Sequence, residues 1–264
     1  TMNPILSLGL VRMVMQTVSD MSALLGVDEE KRTQWQFINK HLSDYPLQER
    51  NGKTVFRYTE KGCDWWDGNT LGIQHIYPAG QIGLNSDPKL LEVAYNTVDE
   101  MQRWLDSNGS NSFFPAAVRI GYKPDSILVH LNTYSKHTYP NGFQLNNPHG
   151  IENWSTVPNT INEMLCMGHQ DIVRVFPVWP RGKDASFHQI RVEGAFLVSG
   201  EQKGGAVTSL TLVSEKGRDL TLQNPWKGKK VEITDPVAGK RTVDGDFIKM
   251  KTEAGQTYRF AMGK

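Results

Sequence analysis

The chain has 264 residues, 38% of them apolar and 22% charged. That is enough for one large or two ordinary domains with a buried core, and it argues against a chain disordered by composition. The formal net charge is +1, which argues against a protein built mainly to hold nucleic acid, because phosphate binding needs a clustered positive excess. The densest basic cluster, Lys227, Lys229 and Lys230, is too short to change that. No apolar run approaches the roughly eighteen residues of a membrane span. Cys63 and Cys166 lie far apart and fit no metal motif; the alternatives are one disulfide or two buried free thiols, and the second is favoured.

The first half reads as helices. Leu6, Leu10, Met13, Thr17, Met21 and Leu24 fall at steps of three and four, one face of a helix that Gly26 can stop. Thr1-Met-Asn-Pro-Ile-Leu shows no leader pattern and runs straight into this helix, so further N-terminal domains of the same protein are expected to precede it. Asp28 can cap a second helix through Trp35, Phe37, Ile38 and Leu42. Residues 45–86 are rich in Gly, Pro, Asn and aromatics and read as a long loop of the kind that carries function. Asp87-Pro88 signals a third helix with Leu91, Ala94, Val98, Met101 and Leu105 inward. A fourth covers 113–120, and a fifth follows Pro124 with Ile127, Leu128 and Leu131. Residues 137–155 form a second rich loop. A sixth helix then carries Val157, Ile161, Met164 and Leu165, with Ser155 or Thr156 as its cap and His169 at its end.

After Asp171 the pattern changes. Ile172-Val-Arg-Val-Phe-Pro-Val-Trp-Pro is β-branched and broken by proline. Short alternating runs follow at Gln189, Ala195, Val207, Asp219, Lys230, Phe247 and Thr257, with Gly204-Gly205 as a hairpin turn. This predicts an antiparallel β-sandwich over 181–264, behind a helical part over 1–180.

Paired helices with long polar and aromatic loops, then a β-sandwich, is the order found in toroidal α-barrel enzymes, whose loops at one end wall a cleft. Trp65, Trp66, Tyr77, Tyr139 and Trp154 offer flat apolar faces. Asp67, Asn69, Gln74, His75, His149, Glu152 and Asn153 offer directed hydrogen bonds. A pyranose, with an apolar C–H face and a polar rim, needs both. Each aromatic has a second reading as plain packing, favoured for Tyr77 beside Pro78. Glu152, just ahead of the sixth helix, is the candidate general base or acid. Its other reading is a charge favouring the helix's positive end. Asp64 and Asp67 are candidate second carboxylates, each with an alternative as a loop salt bridge or turn residue. No G-x-S-x-G, H-E-x-x-H or phosphate loop is present, so neither a metal nor a cofactor is expected.

Several stretches resemble glycoside hydrolase family 95, the α-L-fucosidases and α-L-galactosidases. They are Thr1-Met-Asn-Pro with Leu10-Val-Arg-Met, Ile76-Tyr-Pro-Ala-Gly-Gln-Ile, and Asn162-Glu-Met-Leu with His169 followed by Val173-Arg-Val-Phe-Pro-Val-Trp-Pro. The order and spacing agree over roughly 1–180. The resemblance implies the C-terminal half of an (α/α)₆ toroid barrel and an inverting mechanism, with the general acid upstream of this chain. It places Glu152 where the family's Asp acts as base, and Asn153 where the family has Gly. The expected function is therefore that of part of an inverting glycosidase on α-linked sugars. Glu152 is the catalytic residue, and His149, Asn153, Trp154, His75, Gln74, Trp65, Trp66 and Asp67 contact carbohydrate. The alternative is a catalytically degenerate carbohydrate-binding module. A lyase or phosphorylase on a related toroid is a third. The class implies a bacterial periplasmic or extracellular setting.

Overall fold

The computed structural model describes residues 2–263; Thr1, the first residue of the opening motif, lies outside the described residues. The fold mixes helix and sheet and packs as two units. One holds the residues up to Tyr122 together with Ser126–Asn159, and the other holds Lys123–Asp125 together with Thr160 onward. Among the described residues no helix is long and apolar enough to cross a membrane.

In the first unit, strand β1 (Met2–Pro4) leads into helix α1 (Ile5–Leu25). Gly26 ends the helix in the left-handed region at φ 67°, as expected. The buried side differs from the expected stripe. It is Ile5, Leu8, Gly9, Ser19 and Ser22, while Met21 and Leu24 are 54% and 79% exposed. Close approach decides this. A Cβ on Gly9 would lie 2.5 Å from the Cβ of His75, so the helix packs by its small residues rather than its large ones. Helix α2 (Glu29–His41) buries no residue, and Phe37 is 61% exposed. Asp28 does not cap it. This residue sits in the left-handed region at φ 52° and pairs with Lys31 at 2.7 Å.

The stretch read as a loop over 45–86 contains strands. β2 (Leu47–Arg50) and β3 (Lys53–Phe56) form a hairpin across Asn51-Gly52, both at positive φ. Asn-Gly is the residue pair that a two-residue primed turn requires. β4 (Thr59–Lys61) pairs with β1. β3 lies on helix α3 (Pro88–Met101), where the Phe56 amide donates to the Thr97 hydroxyl at 2.9 Å and Lys53 bridges to Asp99 at 2.7 Å. Asp87 caps α3 by accepting from the Lys89 and Leu90 amides, with Pro88 at the first position. α3 ends at Met101, so Leu105 falls outside it and is exposed. Val93 and Thr97 join Ala94, Val98 and Met101 on the buried face. Helices α4 (Ser110–Arg119) and α5 (Pro124–Ser135) follow, then the single turn α6 (Ile151–Trp154) and helix α7 (Thr156–Leu165).

The division between units falls inside α7, not near residue 180. Leu165, Cys166, Val173, Val175 and Phe176 are buried in one core with Val198, Leu212, Val231 and Tyr258. Their apolar side chains find cover among the strands, which draws 160–180 into the sheet unit. His169 lies beyond the end of α7, in a 3-10 turn, and its carbonyl accepts from Arg174 at 2.8 Å.

The sheet unit begins with the short pair β5 (Cys166–Met167) and β6 (Arg174–Val175). The remaining strands are β7 (Ala185–Val192), β8 (Phe196–Lys203), β9 (Ala206–Ser214), β10 (Leu220–Gln223), β11 (Val231–Asp235), β12 (Gly239–Val243), β13 (Phe247–Met250) and β14 (Thr257–Met262). Six of them form one antiparallel sheet in the order β12-β11-β14-β9-β8-β7, and β10 pairs with β13. β12 escapes the hydrophobic pattern because its residues Gly239, Lys240, Arg241 and Thr242 are all exposed. Gly204 and Gly205 turn β8 into β9, both at positive φ. Alternate residues of β8, Phe196, Val198 and Gly200, face the shared core.

Candidate functional site

The two rich loops of the helical unit are braced on the same turn, residues 104–110 between α3 and α4. Asn153 and Asn147 donate their side-chain amides to the Ser107 carbonyl at 2.7 and 3.0 Å, and Gln144 donates to the Asp106 carbonyl at 3.2 Å. The other loop meets this turn at Thr70, whose hydroxyl donates to the Gly109 carbonyl at 3.3 Å. A Cβ on Gly109 would lie 2.2 Å from that hydroxyl, so only glycine allows the contact. The structure thus brings 62–75 and 137–155 to one end of the unit. Ser107, Asp106, Gln144 and Asn147 were not singled out from sequence. Isolated Asn, Gln and Ser residues in a loop look alike whether they bind the backbone or a ligand.

Glu152 stands on α6, the turn that leads into α7. Its backbone is fixed, since its carbonyl accepts from the Ser155 amide and hydroxyl. Its carboxylate is exposed and makes no hydrogen bond or ion pair with any described residue. Trp154 beside it is 54% exposed. Its indole lies over Gly142, where a Cβ would be 2.7 Å from the ring, and this folds the loop back on itself. His149 and Tyr139 are exposed on the same loop. A carboxylate with free oxygens, an imidazole and aromatic faces on one braced loop is a set able to hold a polar ring and to take a proton from a water.

Asn153 is placed otherwise than expected. It is 1% exposed, its amide is spent on Ser107, and its backbone carbonyl accepts from the Tyr134 hydroxyl at 3.1 Å. Its part is to hold α6 in place.

In the first loop Trp66 stacks on Tyr58 with centroids 5.5 Å apart and donates to Asn69 at 3.0 Å. Trp65 lies under the Arg50 guanidinium at 4.4 Å and donates to Asp67. Asp64 pairs with Arg57 at 2.8 Å. Both acids considered as second carboxylates are therefore engaged locally. Gln74 is half-buried. His75 is fully buried between Tyr45 and Phe56, with ring centroids at 4.9 and 4.5 Å, and does not stand on the loop surface. Burial, helped by the positive charge of Arg12, pushes its pKa down to about 3. Its place in the chain, next to the apolar Ile73 and Ile76 and opposite Gly9, is what encloses it. Among the described residues no three His, Cys, Asp or Glu side chains gather as a metal site requires.

No protein-family model matches this chain, and no curated protein does either. Among solved structures, one match is a GH127 β-L-arabinofuranosidase from Geobacillus stearothermophilus T6. The identity is 12% and the TM-score 0.29, over 96% of this chain and 41% of the other. The chain thus spans about two-fifths of that structure's length. A likeness this slight transfers neither fold nor function.

Proposed function

We propose that this chain carries the base side of an inverting glycosidase site acting on α-linked sugars, with Glu152 activating the attacking water. The reading rests on one observation: the Glu152 carboxylate is exposed and unengaged, yet fixed on a turn whose neighbours Asn147 and Asn153 tie it to the Ser107 carbonyl. The sugar class and the (α/α)₆ toroid setting are taken from the motif series that resembles glycoside hydrolase family 95. His149 and Trp154 would face the sugar, and Trp65, Trp66, Asp67 and Gln74 would line the neighbouring loop. The acid would come from outside residues 1–264, at roughly the 6.5–9.5 Å that leaves room for a water. Export to the bacterial periplasm or cell surface goes with this reading.

The test is hydrolysis of aryl α-L-fucosides and α-L-galactosides by the full-length protein, with the product anomer followed by NMR. Replacing a general base costs about 10²–10⁴ in rate. Glu152→Gln should fall by that amount with KM little changed, and wild type should release the inverted anomer. Equal turnover by wild type and Glu152→Gln removes Glu152 from the mechanism. A second reading is carbohydrate binding without turnover, and the local engagement of Asp64 and Asp67 favours it. Sugar binding by the full-length protein without any hydrolysis would decide for it.

A further inference from the structure

A separate cavity of about 400 Å³ lies wholly within the sheet unit, of a size that admits a small ligand. Trp179 and Trp226 line it, with Phe176 and Gln202, and so do three cations, Arg181, Lys227 and Lys229; no acidic side chain does. The two tryptophans and the three cations come from two turns about 45 positions apart in the chain, 179–183 and 226–229.

Each turn is tied down by a buried amide side chain, Gln202 in one case and Asn224 in the other. Gln202 donates to the Pro180 and Lys183 carbonyls at 3.3 and 3.1 Å, and the Trp179 indole donates to the Lys183 carbonyl at 3.0 Å. Asn224 accepts from the Trp226 amide at 2.9 Å and donates to the Lys229 carbonyl at 2.8 Å. The Trp226 indole donates to Val207 at 2.9 Å. The backbone carrying the cations is thus fixed before any ligand arrives, which lowers the entropy cost of binding.

Arg181, Lys227 and Lys229 form no ion pair with any described residue. The nearby acids are committed elsewhere, Glu201 to Lys203 at 2.7 Å and Asp184 to the Gly204 amide at 2.9 Å. Three uncompensated cations around an aromatic-lined cavity call for an anionic ligand with an apolar face.

We propose that this cavity binds an acidic saccharide, one bearing carboxylate or sulfate groups. The anionic half of the assignment rests on the cations of the cavity; the saccharide half rests on the proposed glycosidase function. Nucleic acid fits less well, because the cations gather at one cavity instead of tracking a backbone, and the chain as a whole carries a net charge of only +1.

The experiment is calorimetric titration of the full chain with trigalacturonate, its neutral methyl ester, a sulfated galactose disaccharide and a twelve-nucleotide single-stranded DNA. The expected result is binding of at least one acidic sugar and at least tenfold weaker binding of the ester. The exposed double change Lys227→Gln with Lys229→Gln should weaken the acidic sugar tenfold or more at unchanged melting temperature, and Trp179→Ala should weaken it as well. Glu152→Gln should bind like wild type, so the result is read independently of hydrolysis. The proposal is overturned by binding of neither acidic sugar, by equal binding of the ester, by indifference to the lysine changes, or by tighter binding of DNA.

Discussion

Among the described residues His75 has no hydrogen-bond partner for either ring nitrogen, and the ring is fully buried, so a charged imidazole there would be unsolvated. Its pKa of about 3 lies below the ordinary value near 6.5 of an unfolded chain. Between those two pH values the unfolded state binds the extra proton, so stability rises with pH and is lost as pH falls from about 6.5 towards 3. Urea denaturation of wild type and His75→Leu at pH 7, 5 and 4 checks this. The variant starts less stable, having lost the ring packed on Tyr45 and Phe56, but its stability should fall less steeply with acid. Parallel slopes would show that His75 does not govern the acid limb. The residue type alone suggested a ligand contact for His75 and for Asn153. Type states what a side chain is able to bond, while burial and neighbours select the bond it makes.

At the scale of elements, two aspartates read as helix caps behave differently. The Asp87 carboxylate accepts two backbone amides at the start of α3, whereas the Asp28 carboxylate accepts none from α2, whose first amides go to the Asp28 carbonyl, and Asp28 holds a left-handed backbone. Asp87→Ala should cost about 1 kcal/mol, the usual value of a lost cap. Asp28→Gly, which keeps the left-handed backbone without strain, should cost clearly less in the same chemical denaturation series. Equal losses would mean that the Asp28 carboxylate caps α2 in solution. The helices themselves were legible because the 3.6-residue rhythm and the Pro and Gly punctuation are local. The hairpin over 47–56 was legible as well, through Asn51-Gly52, but was masked by the loop-like composition around it. The buried face of α1 was not legible. It depends on the contact of Gly9 with His75, 66 positions away, and a glycine scores as nothing in a hydrophobic stripe.

For the molecule as a whole, the assignment of 160–180 to the sheet unit has a direct consequence. A fragment starting at 181 lacks Leu165, Cys166, Val173, Val175 and Phe176, and so leaves Val198, Leu212 and Leu222 partly uncovered. Each large buried side chain is worth about 2–5 kcal/mol when truncated, and a domain has only about 5–15 kcal/mol in reserve. The fragment 181–264 should therefore give collapsed NMR dispersion or aggregate, while 160–264 should give a dispersed spectrum. A well-dispersed spectrum from 181–264 would show that the strand core is sufficient alone.

The sequence by itself determined the two kinds of secondary structure, most element positions and the two loops rich in sugar-compatible side chains, because periodicity and turn chemistry act over a few residues. The tertiary structure alone decided which of those side chains remain available. Glu152 and Trp154 stay exposed while Asn153 and His75 are enclosed, and Trp179 with Arg181 meets Trp226 with Lys227 and Lys229 around one cavity. Those outcomes depend on contacts between distant segments, which the packing of a common core sets and no local pattern records.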